Sequence, residues 1–458
     1  MPYYAGLFYI KIYSYFLLNT LIASVMKKFT LPDKVPSGLA SRWENCPHLP
    51  DAYPDSLLKA VRVRQQVPAE KMAKDEDFWN SVRKMFNPHP KLIHLNHGGV
   101  SPQPKSVQEA EFALTRFINR APSYQMWYEL EDKREMVRRE LAALAQADPE
   151  EIAIVRNTTE AMNTLVHGLK LTKGSGVLLS EQDYPNVIEA WKVREKRDGL
   201  HLKWLSLPAR TDNDDELVQR YADALTDDIQ VLNLTWVVNW TGRIQPIREI
   251  IGIAQERGVI VFLDGAHAFI QLDTPLEELG AEGFSTSLHK WLCAPFGTGM
   301  LHVRKDMIPK LHPIFQQKET QETDIRRFEG QGTRNYAAEL AILHSIDFHN
   351  LLGQEWKAAR LRYLKNYWLE KAAEMPGYTA TTPLAEEQSC GLGHIQLEHG
   401  DPKALEEFLL TRYNIHCVAV EWANVSGLRV TPHIFTLRRE LDILLKGLQE
   451  WSKKNFTA

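Results

Sequence analysis

Residues 262–301 read FLDGAHAFIQLDTPLEELGAEGFSTSLHKWLCAPFGTGML, with polar side chains at two strand ends. The stretch begins inside the apolar run Val259–Leu263, whose length and composition predict a buried strand that stops at Asp264. A second short strand is predicted around Phe284–Thr286, and it leads into Ser287-Leu288-His289-Lys290. Open α/β sheets bind ligands at the carboxyl ends of their strands. We therefore expect the acid, the histidine and the lysine to meet at one edge of a sheet.

Pyridoxal 5'-phosphate (PLP) is a cofactor whose chemistry needs this set of side chains. A lysine forms a Schiff base with its aldehyde, and an acid keeps its pyridine nitrogen protonated, so that the ring acts as an electron sink. Hydroxyls, backbone N–H groups and a histidine or cation hold its phosphate. Taken singly, Asp264 is better explained as a helix cap and Lys290 as a solvated lysine. Their joint placement at strand ends favours the cofactor site.

The pattern Asp264-Gly-Ala-His-Ala followed by Ser287-Leu-His-Lys-Trp resembles the class V aminotransferase family of PLP-dependent enzymes. The resemblance runs from about residue 95 to about residue 447. It implies the α/β PLP-dependent transferase fold, type I: a large domain with a mostly parallel sheet covered by helices on both faces, and a smaller α+β C-terminal domain. We expect an N-terminal apolar segment and arm at 1–55, a helical segment at 56–90, the large PLP-binding domain at 91–335 and the small domain at 336–458.

The order of the predicted elements points to the same architecture. Strands and helices alternate between residues 152 and 303, which implies right-handed crossovers and a mostly parallel sheet. Beyond that point, long helical patterns at Ala337–Leu352 and Glu355–Met375 precede a mixed end of the chain.

The resemblance assigns most of the cofactor contacts to residues of the first stretch. Asp264 would pair with the pyridine nitrogen, and His267 would reach the phenolic oxygen. Ser287 and His289 would donate to the phosphate. Lys290 would be the Schiff-base lysine and the catalytic acid/base, and a lysine whose pKa is lowered by burial suits both roles.

Three further segments are assigned to the cofactor, each with a plainer alternative. Thr158 and Thr159, in the turn 156–160, would bind phosphate at a helix N-terminus or simply cap that helix. Tyr184 would stack on the pyridine ring or be an ordinary loop tyrosine. Asn239 would lie near the phenolic oxygen and the substrate or belong to a turn.

Two assignments concern the substrate and one a partner subunit. Arg429 matches the arginine that grips the substrate α-carboxylate, where a bidentate pair orients the Cα bond to be broken. Asn96, in the turn 96–102, is placed in the same substrate site. Thr333, in the segment 330–335, matches a segment that in relatives crosses a dimer interface and binds the partner's phosphate. This implies a homodimer with shared active sites, and the alternative is a glycine-rich loop.

The segment 421–428 departs from one branch of the family. Cysteine desulfurases carry a reactive cysteine on a mobile loop before the arginine, whereas this segment reads EWANVSGL. Cys417 lies in an apparent strand, and we expect it to be buried. A persulfide mechanism is therefore disfavoured, which moves the chain towards the isopenicillin N epimerase-like branch. Epimerase or lyase chemistry is expected, with a true aminotransferase, a C–S lyase on a cysteine derivative and a non-catalytic scaffold as alternatives.

Composition narrows the remaining possibilities. The net charge of −4 over 458 residues gives no indication of nucleic-acid binding. The four cysteines lack a C-x-x-C pattern, so neither a metal site nor a disulfide framework is predicted. The apolar segment 6–26 has the length of a marginal membrane span or signal core, but no basic residues precede it. We expect a cytoplasmic protein, with export or anchoring through 6–26, or a start at Met26, as alternatives.

Overall fold

The computed structural model describes residues 53–315 and 320–456. The apolar segment 6–26, Met26 and Cys46 lie outside these residues. Within the described part of the chain, no helix is both long and apolar enough to cross a membrane. The predicted domain boundaries stay a prediction.

Thirteen strands are found in the described residues. In chain order they are β1 (Ile93–His94), β2 (Ile152–Val155), β3 (Gly176–Ser180), β4 (His201–Leu205), β5 (Ile229–Thr235), β6 (Ile260–Asp264), β7 (Gly283–Ser287), β8 (Gly299–Val303), β9 (Tyr378–Ala380), β10 (Gly393–Leu397), β11 (Ile415–His416), β12 (Val418–Trp422) and β13 (Val425–Val430). The predicted strands of the first 303 residues are all present, with bounds that differ by one or two residues at most ends.

Seven of these strands form the central sheet, in the order β2-β8-β7-β6-β5-β3-β4. The neighbours from β7 to β4 are parallel, whereas β8 is antiparallel to both β7 and β2. Because β2 and β7 both oppose β8, they run in the same direction. The carboxyl ends of β2, β3, β5, β6 and β7 therefore share one edge. The expectation of a mostly parallel α/β sheet is confirmed, with β8 as the reversed strand.

Helices follow the strands and cover the sheet. Those of eight residues or more span Asp55–Arg62, Glu76–Arg83, Lys105–Ile118, Glu131–Ala145, Thr158–Gly168, Pro185–Asp198, Asp214–Ala224, Ile247–Glu256, Tyr336–Leu352, Gln354–Ala373, Pro402–Tyr413 and Arg438–Asn455. The strands β2, β3, β7 and β8 are buried at every position, as expected for a sheet covered on both faces.

The outer strand β2 has its free edge covered by charged side chains. Its Ile154 N–H donates to Glu329 (2.6 Å), and Arg334 donates to the Ile154 carbonyl (2.6 Å). Arg138 donates to the Ile152 carbonyl and pairs with Glu329 at 2.7 Å. Burial raises the pKa of the Glu329 carboxyl, but the neighbouring guanidinium groups outweigh burial and hold that pKa at about 2. The backbone groups of β2 thus have partners outside the sheet.

A second, four-stranded sheet has the order β12-β13-β10-β9, and all its pairs are antiparallel. The early strand β1 does not join it but pairs with β11 in parallel. A single bridge between Asn96 and Thr431 continues this connection. Residues more than 300 positions apart in sequence therefore lie side by side, next to the Arg429 position on β13.

Candidate active site

Polar side chains collect where the parallel strands end. Asp264 closes β6, and Ser287 closes β7. Thr158 begins the helix that follows β2, and Asn239 lies in the turn that follows β5. Lys290 comes three residues after β7. The sheet edge thus gathers the predicted residues from four separate parts of the chain.

Lys290 and Asp264 lie close enough to affect each other's ionisation. Burial lowers the pKa of the Lys290 ammonium, the Asp264 carboxylate opposes this, and the Arg429 guanidinium adds to it, with a resulting pKa of about 8. Burial raises the pKa of Asp264, which is only 5% exposed, while the Ala266 N–H (2.9 Å) and Lys290 stabilise its anion. An amine that is partly neutral near pH 8 therefore lies within electrostatic range of a buried carboxyl group.

His267 lies between the lysine and the amide of Asn239. Its Nε2 atom is 2.9 Å from Asn239 Oδ1 and 3.5 Å from the Lys290 ammonium. Burial, with the positive charges of Lys290 and Arg429, holds the His267 pKa well below its usual value, so the ring is neutral. Because the Asn239 oxygen only accepts, Nε2 carries the proton. The buried Nδ1 atom then presents a lone pair that has no partner in the described residues.

Arg429 is a buried cation held by neutral groups. It donates to the Asn239 carbonyl oxygen (3.0 Å) and side-chain oxygen (2.8 Å), and to the Asn96 side-chain oxygen (3.0 Å). Burial lowers its pKa to about 10, and its Nε atom has no partner in the described residues. Arg429 takes part in none of the ion pairs found among the described residues. The guanidinium therefore retains capacity for one carboxylate.

The Thr158 turn and the end of β7 form a cluster of hydroxyl and N–H groups. Asn157 caps the helix by accepting from Glu160 N–H (2.9 Å). Ser287 Oγ lies 2.9 Å from Thr158 N and 2.8 Å from Thr158 Oγ1. A Cβ on Gly299 would lie 2.6 Å from Asn157 Cα, so only glycine lets the turn pack so tightly against β8. A helix N-terminus with added hydroxyls binds anions well.

A family comparison decides how this arrangement is interpreted. The model of the Aminotransferase class-V family matches residues 93–434. The chain belongs to the class V aminotransferase family.

Several class V proteins are similar to it over most of its length. Isopenicillin N epimerase from Streptomyces clavuligerus is 29% identical over 387 residues, covering 81% of this chain and 97% of that protein. Cysteine desulfurase from Haloferax volcanii is 24% identical over 326 residues, covering 66% of this chain and 75% of that protein. A solved C-DES mutant, with glycine covalently linked to its PLP cofactor, has a TM-score of 0.73 at 19% identity, covering 80% of this chain and 99% of that one. The last likeness shows a shared fold.

The other predicted site residues are less enclosed. Tyr184 precedes the helix Pro185–Asp198, is 39% exposed and lies near enough to Arg429 to affect its pKa. His289 is half-buried, and its Nδ1 atom donates to the Thr298 carbonyl at 3.1 Å. Thr159 Oγ1 lies 3.4 Å from the Asn186 amide. The predicted roles of these three residues stay predictions.

Thr333 differs from the other predicted site residues. Its side chain is exposed and has no hydrogen-bond partner among the described residues. The neighbouring Gln331 contacts Glu160, so this loop lies beside the Thr158 turn. The predicted contact with a partner subunit stays a prediction.

Sequence reasoning missed one buried acid at the same edge. Asp183 accepts from Ser180 N–H (3.0 Å), Asn233 (3.0 Å) and Thr235 (2.7 Å). Burial raises its pKa to about 7, and the nearby Asp264 contributes. The signal that identified Asp264, an acid shortly after a buried strand, is also present at Asp183. The Asp183 side chain holds the segment that leads to Tyr184 in place.

The donor set of this class V site fits PLP. Asp264 offers a carboxylate for a ring nitrogen, Lys290 an amine for an aldehyde, and the Thr158 turn with Ser287 a set of phosphate donors. The unpartnered His267 Nδ1 atom is a buried polar atom at the same edge. These features together match the groups that a PLP molecule presents.

Proposed function

We propose that this chain acts at Cα of an α-amino acid or a derivative of one, as an epimerase or lyase. The observation that carries the proposal is Arg429, a buried guanidinium without an ion-pair partner in the described residues, next to the Lys290 amine. A buried arginine of this kind is suited to a small carboxylate ligand.

Membership of class V makes the chain a PLP-dependent enzyme rather than a scaffold. When bound, PLP supplies an electron sink for negative charge at the substrate Cα. Asp264 would hold the proton on the ring nitrogen, and Ser287 with the Thr158 turn would hold the phosphate.

The protein's own residues then orient the substrate and move its proton. Arg429 would bind the α-carboxylate through two parallel hydrogen bonds and so fix the direction of the Cα–H bond. Lys290, with a pKa of about 8, has a neutral fraction near pH 7 that can accept this proton. His267 stays neutral and keeps Asn239 in contact with Arg429 through their shared oxygen.

The cysteines support the choice against desulfurase chemistry. Cys293, Cys390 and Cys417 are all buried, with at most 2% exposure, and burial raises the pKa of each thiol. The position where desulfurases carry a mobile cysteine loop is instead the hairpin of β12 and β13. The described residues therefore offer no exposed thiolate to receive a sulfur atom.

An epimerase needs a second proton donor on the opposite face of Cα. Tyr184 is favoured for this role because its ring is partly exposed near Arg429. His97 is the other candidate from the sequence, but it is 2% exposed and enclosed by the rings of His94, His433 and Phe435. Lyase and aminotransferase reactions need no such group, so they remain the competing outcomes of the substrate screen described below.

We also propose a homodimer in which Thr333 reaches the partner's site. Its exposed hydroxyl, in a loop beside the Thr158 turn, supports this proposal. The molar mass of the holoenzyme, measured by light scattering with and without a Thr333→Asp substitution, tests it. A monomeric wild-type protein would contradict the proposal.

Covalent labelling tests the role of Lys290 against two matched lysines. Lys357 and Lys365 are buried and also have a pKa of about 8, but Lys357 contacts Trp291 O and His349, and Lys365 contacts Pro383 O and Ser389. Borohydride treatment of the PLP-loaded protein should attach the cofactor to the Lys290 peptide alone. Lys290→Ala should abolish both labelling and turnover while phosphate-mediated PLP binding persists. Labelling at Lys357 or Lys365 instead would refute the assignment.

A substrate screen then separates the reactions. The holoenzyme is incubated with a set of L- and D-amino acids, and pyruvate, sulfide, ammonia and inverted stereochemistry are measured. Inversion without net loss identifies an epimerase, whereas ammonia with pyruvate, or sulfide, identifies a lyase. Transfer of the amino group to an added 2-oxo acid, without release of ammonia, identifies an aminotransferase. Conversion of L-cysteine to L-alanine, with the sulfur atom transferred to an enzyme thiol as a persulfide, would overturn the choice against a desulfurase.

A further inference from the structure

The hairpin formed by β12 and β13 is attached at its tip to the loop that leads to Tyr184. The Trp422 indole donates to the Glu181 carbonyl at 2.9 Å and stacks on Trp240, with ring centroids 5.4 Å apart and planes inclined by 22°. Trp240 in turn donates to the Gln182 carbonyl at 2.9 Å. Two adjacent carbonyl groups of this loop are therefore each held by one member of an aromatic pair.

Asn424 provides a second attachment of the same tip. Its side-chain oxygen accepts from Gln182 (3.0 Å), and its amide donates to the Leu207 carbonyl (2.9 Å). Ala423 has a φ of +50°, a conformation that alanine adopts at an energetic cost. Such a conformation persists where the surroundings fix it, and here the contacts of Trp422 and Asn424 on either side do so.

The attached residues adjoin the groups proposed to bind the amino acid. Trp240 follows Asn239, whose two oxygens accept from Arg429. The loop held by Trp422 continues within three residues to Tyr184, and Arg429 lies on the second strand of the same hairpin. One aromatic pair thus connects the segments that carry the carboxylate-binding arginine, its supporting amide and the ring-stacking tyrosine.

We propose that Trp422 is a positioning residue that sets the separation between Arg429 and Tyr184, and thereby the fit of the α-amino acid. The inference rests on the proposed function. It assigns a role to the tip of the β12–β13 hairpin, which stands where desulfurases carry a mobile cysteine loop. In this chain the tip holds the substrate-binding residues in position and does not move to transfer sulfur. The cofactor contacts at Lys290 and Ser287 do not pass through this pair, so they are independent of it.

The test compares three variants of the full-length holoenzyme. Trp422→Ala removes both the stack and the N–H donor, and Trp422→Phe keeps an aromatic ring without the donor. Glu421→Ala is the matched control, because Glu421 is exposed on the same strand and pairs with Lys403, away from the loop. The probes are PLP, titrated into the apoprotein, and L-alanine, the smallest chiral α-amino acid, titrated into the holoenzyme by its absorbance.

Trp422→Ala should raise the Kd for L-alanine by about tenfold, the size of a weakened charged hydrogen bond. It should raise the Kd for PLP by a smaller factor, because the Tyr184 stack is disturbed while the contacts at Lys290 and Ser287 remain. Trp422→Phe should fall between Trp422→Ala and the wild type, and Glu421→Ala should match the wild type. Amide deuterium exchange in the segment 181–184 should accelerate in Trp422→Ala and Trp422→Phe, and remain at the wild-type rate in the control.

Two outcomes would overturn the proposal. One is a lower melting temperature with unchanged L-alanine affinity, which would identify Trp422 as merely structural. The other is a wild-type rate of amide deuterium exchange in the segment 181–184 of Trp422→Phe. This second criterion can be applied even if Trp422→Ala fails to fold. A wild-type protein that does not bind PLP or respond to any amino acid would instead refute the proposed function, and the exchange measurement would still judge the role of Trp422.

Discussion

Replacing Arg429 by glutamine should weaken amino-acid binding strongly while leaving stability nearly unchanged. The side chain is 6% exposed, its three hydrogen bonds end on neutral oxygens of Asn239 and Asn96, and burial lowers its pKa to about 10. A group in this situation contributes little to folding because its desolvation is not balanced by a counter-charge. Its charge is instead available to a ligand.

The two expected magnitudes follow from these contacts. A hydrogen bond to a charged group contributes about 1.5–3 kcal/mol. Loss of two such bonds to the substrate carboxylate therefore weakens binding by about 3–6 kcal/mol, or about 10²- to 10⁴-fold in Kd. The free energy of unfolding should change by no more than about 1 kcal/mol, since Asn239 Oδ1 still accepts from His267. Arg138 is the matched contrast: it is fully buried but paired with Glu329, and its loss should cost about 3 kcal/mol or more.

Three measurements check this prediction. Absorbance titration of the holoenzyme with L-alanine gives the amino-acid Kd, titration of the apoprotein with PLP gives the cofactor Kd, and urea unfolding gives stability. Arg429→Lys, which keeps the charge but not the planar fork, should lie between wild type and Arg429→Gln in amino-acid affinity. Equal loss of PLP and L-alanine affinity, or a large drop in stability, would refute the assignment of Arg429 to the substrate carboxylate.

Three other predictions concern ionisation. Only a neutral amine attacks an aldehyde, so the rate of PLP capture by the apoprotein should rise with pH and level off above about 8, the pKa of Lys290. A rate that keeps rising towards the ordinary lysine pKa of 10.5 would contradict this prediction. Asp264→Asn should still bind PLP but lose turnover by about 10²-fold or more, and unchanged turnover would remove the acid from the mechanism. Glu329 has a pKa of about 2, below its ordinary value of 4.5, so its stabilisation is present above pH 4.5 and is lost as pH falls through 2. Glu329→Gln should therefore be less stable than wild type at pH 7 by about 3 kcal/mol, with a difference in urea unfolding that narrows below pH 4.5; a constant difference would contradict this.

The placement of Asp264, Ser287 and Lys290 at one sheet edge could be predicted because its signals are local. Asp264 and Ser287 each close a strand, and Lys290 follows three residues later, so sequence order alone brings them to one edge. The substrate half depends on contacts between distant segments. Asn96 meets Arg429 because β1 pairs with β11. The family resemblance placed both residues in the substrate site, but no local pattern in the sequence indicates that these two short strands pair.

Two local features escaped the sequence analysis for physical reasons. The apolar spacing over residues 128–145 predicts one helix, and the structure has the α-helix Glu131–Ala145 preceded by a π-helix, Gln125–Leu130. Side-chain periodicity does not distinguish a single π turn from an α-helix. The hairpin of β12 and β13 turns through Ala423-Asn424 and lacks the glycine that normally marks a tight turn. Its turn is fixed by contacts to a distant loop, which the segment itself does not encode.

The charged cover of β2 has a consequence for how the chain is made. Glu329, whose carboxylate binds the Ile154 N–H, lies 175 residues further along the chain. During synthesis, the N–H and C=O groups at the edge of β2 therefore lack hydrogen-bond partners until the segment with Glu329 has left the ribosome. An unpaired strand edge of this kind is a template for aggregation. Variants that weaken the Glu329 cluster should for this reason reduce the yield of soluble protein more than they reduce the activity of the molecules that do fold.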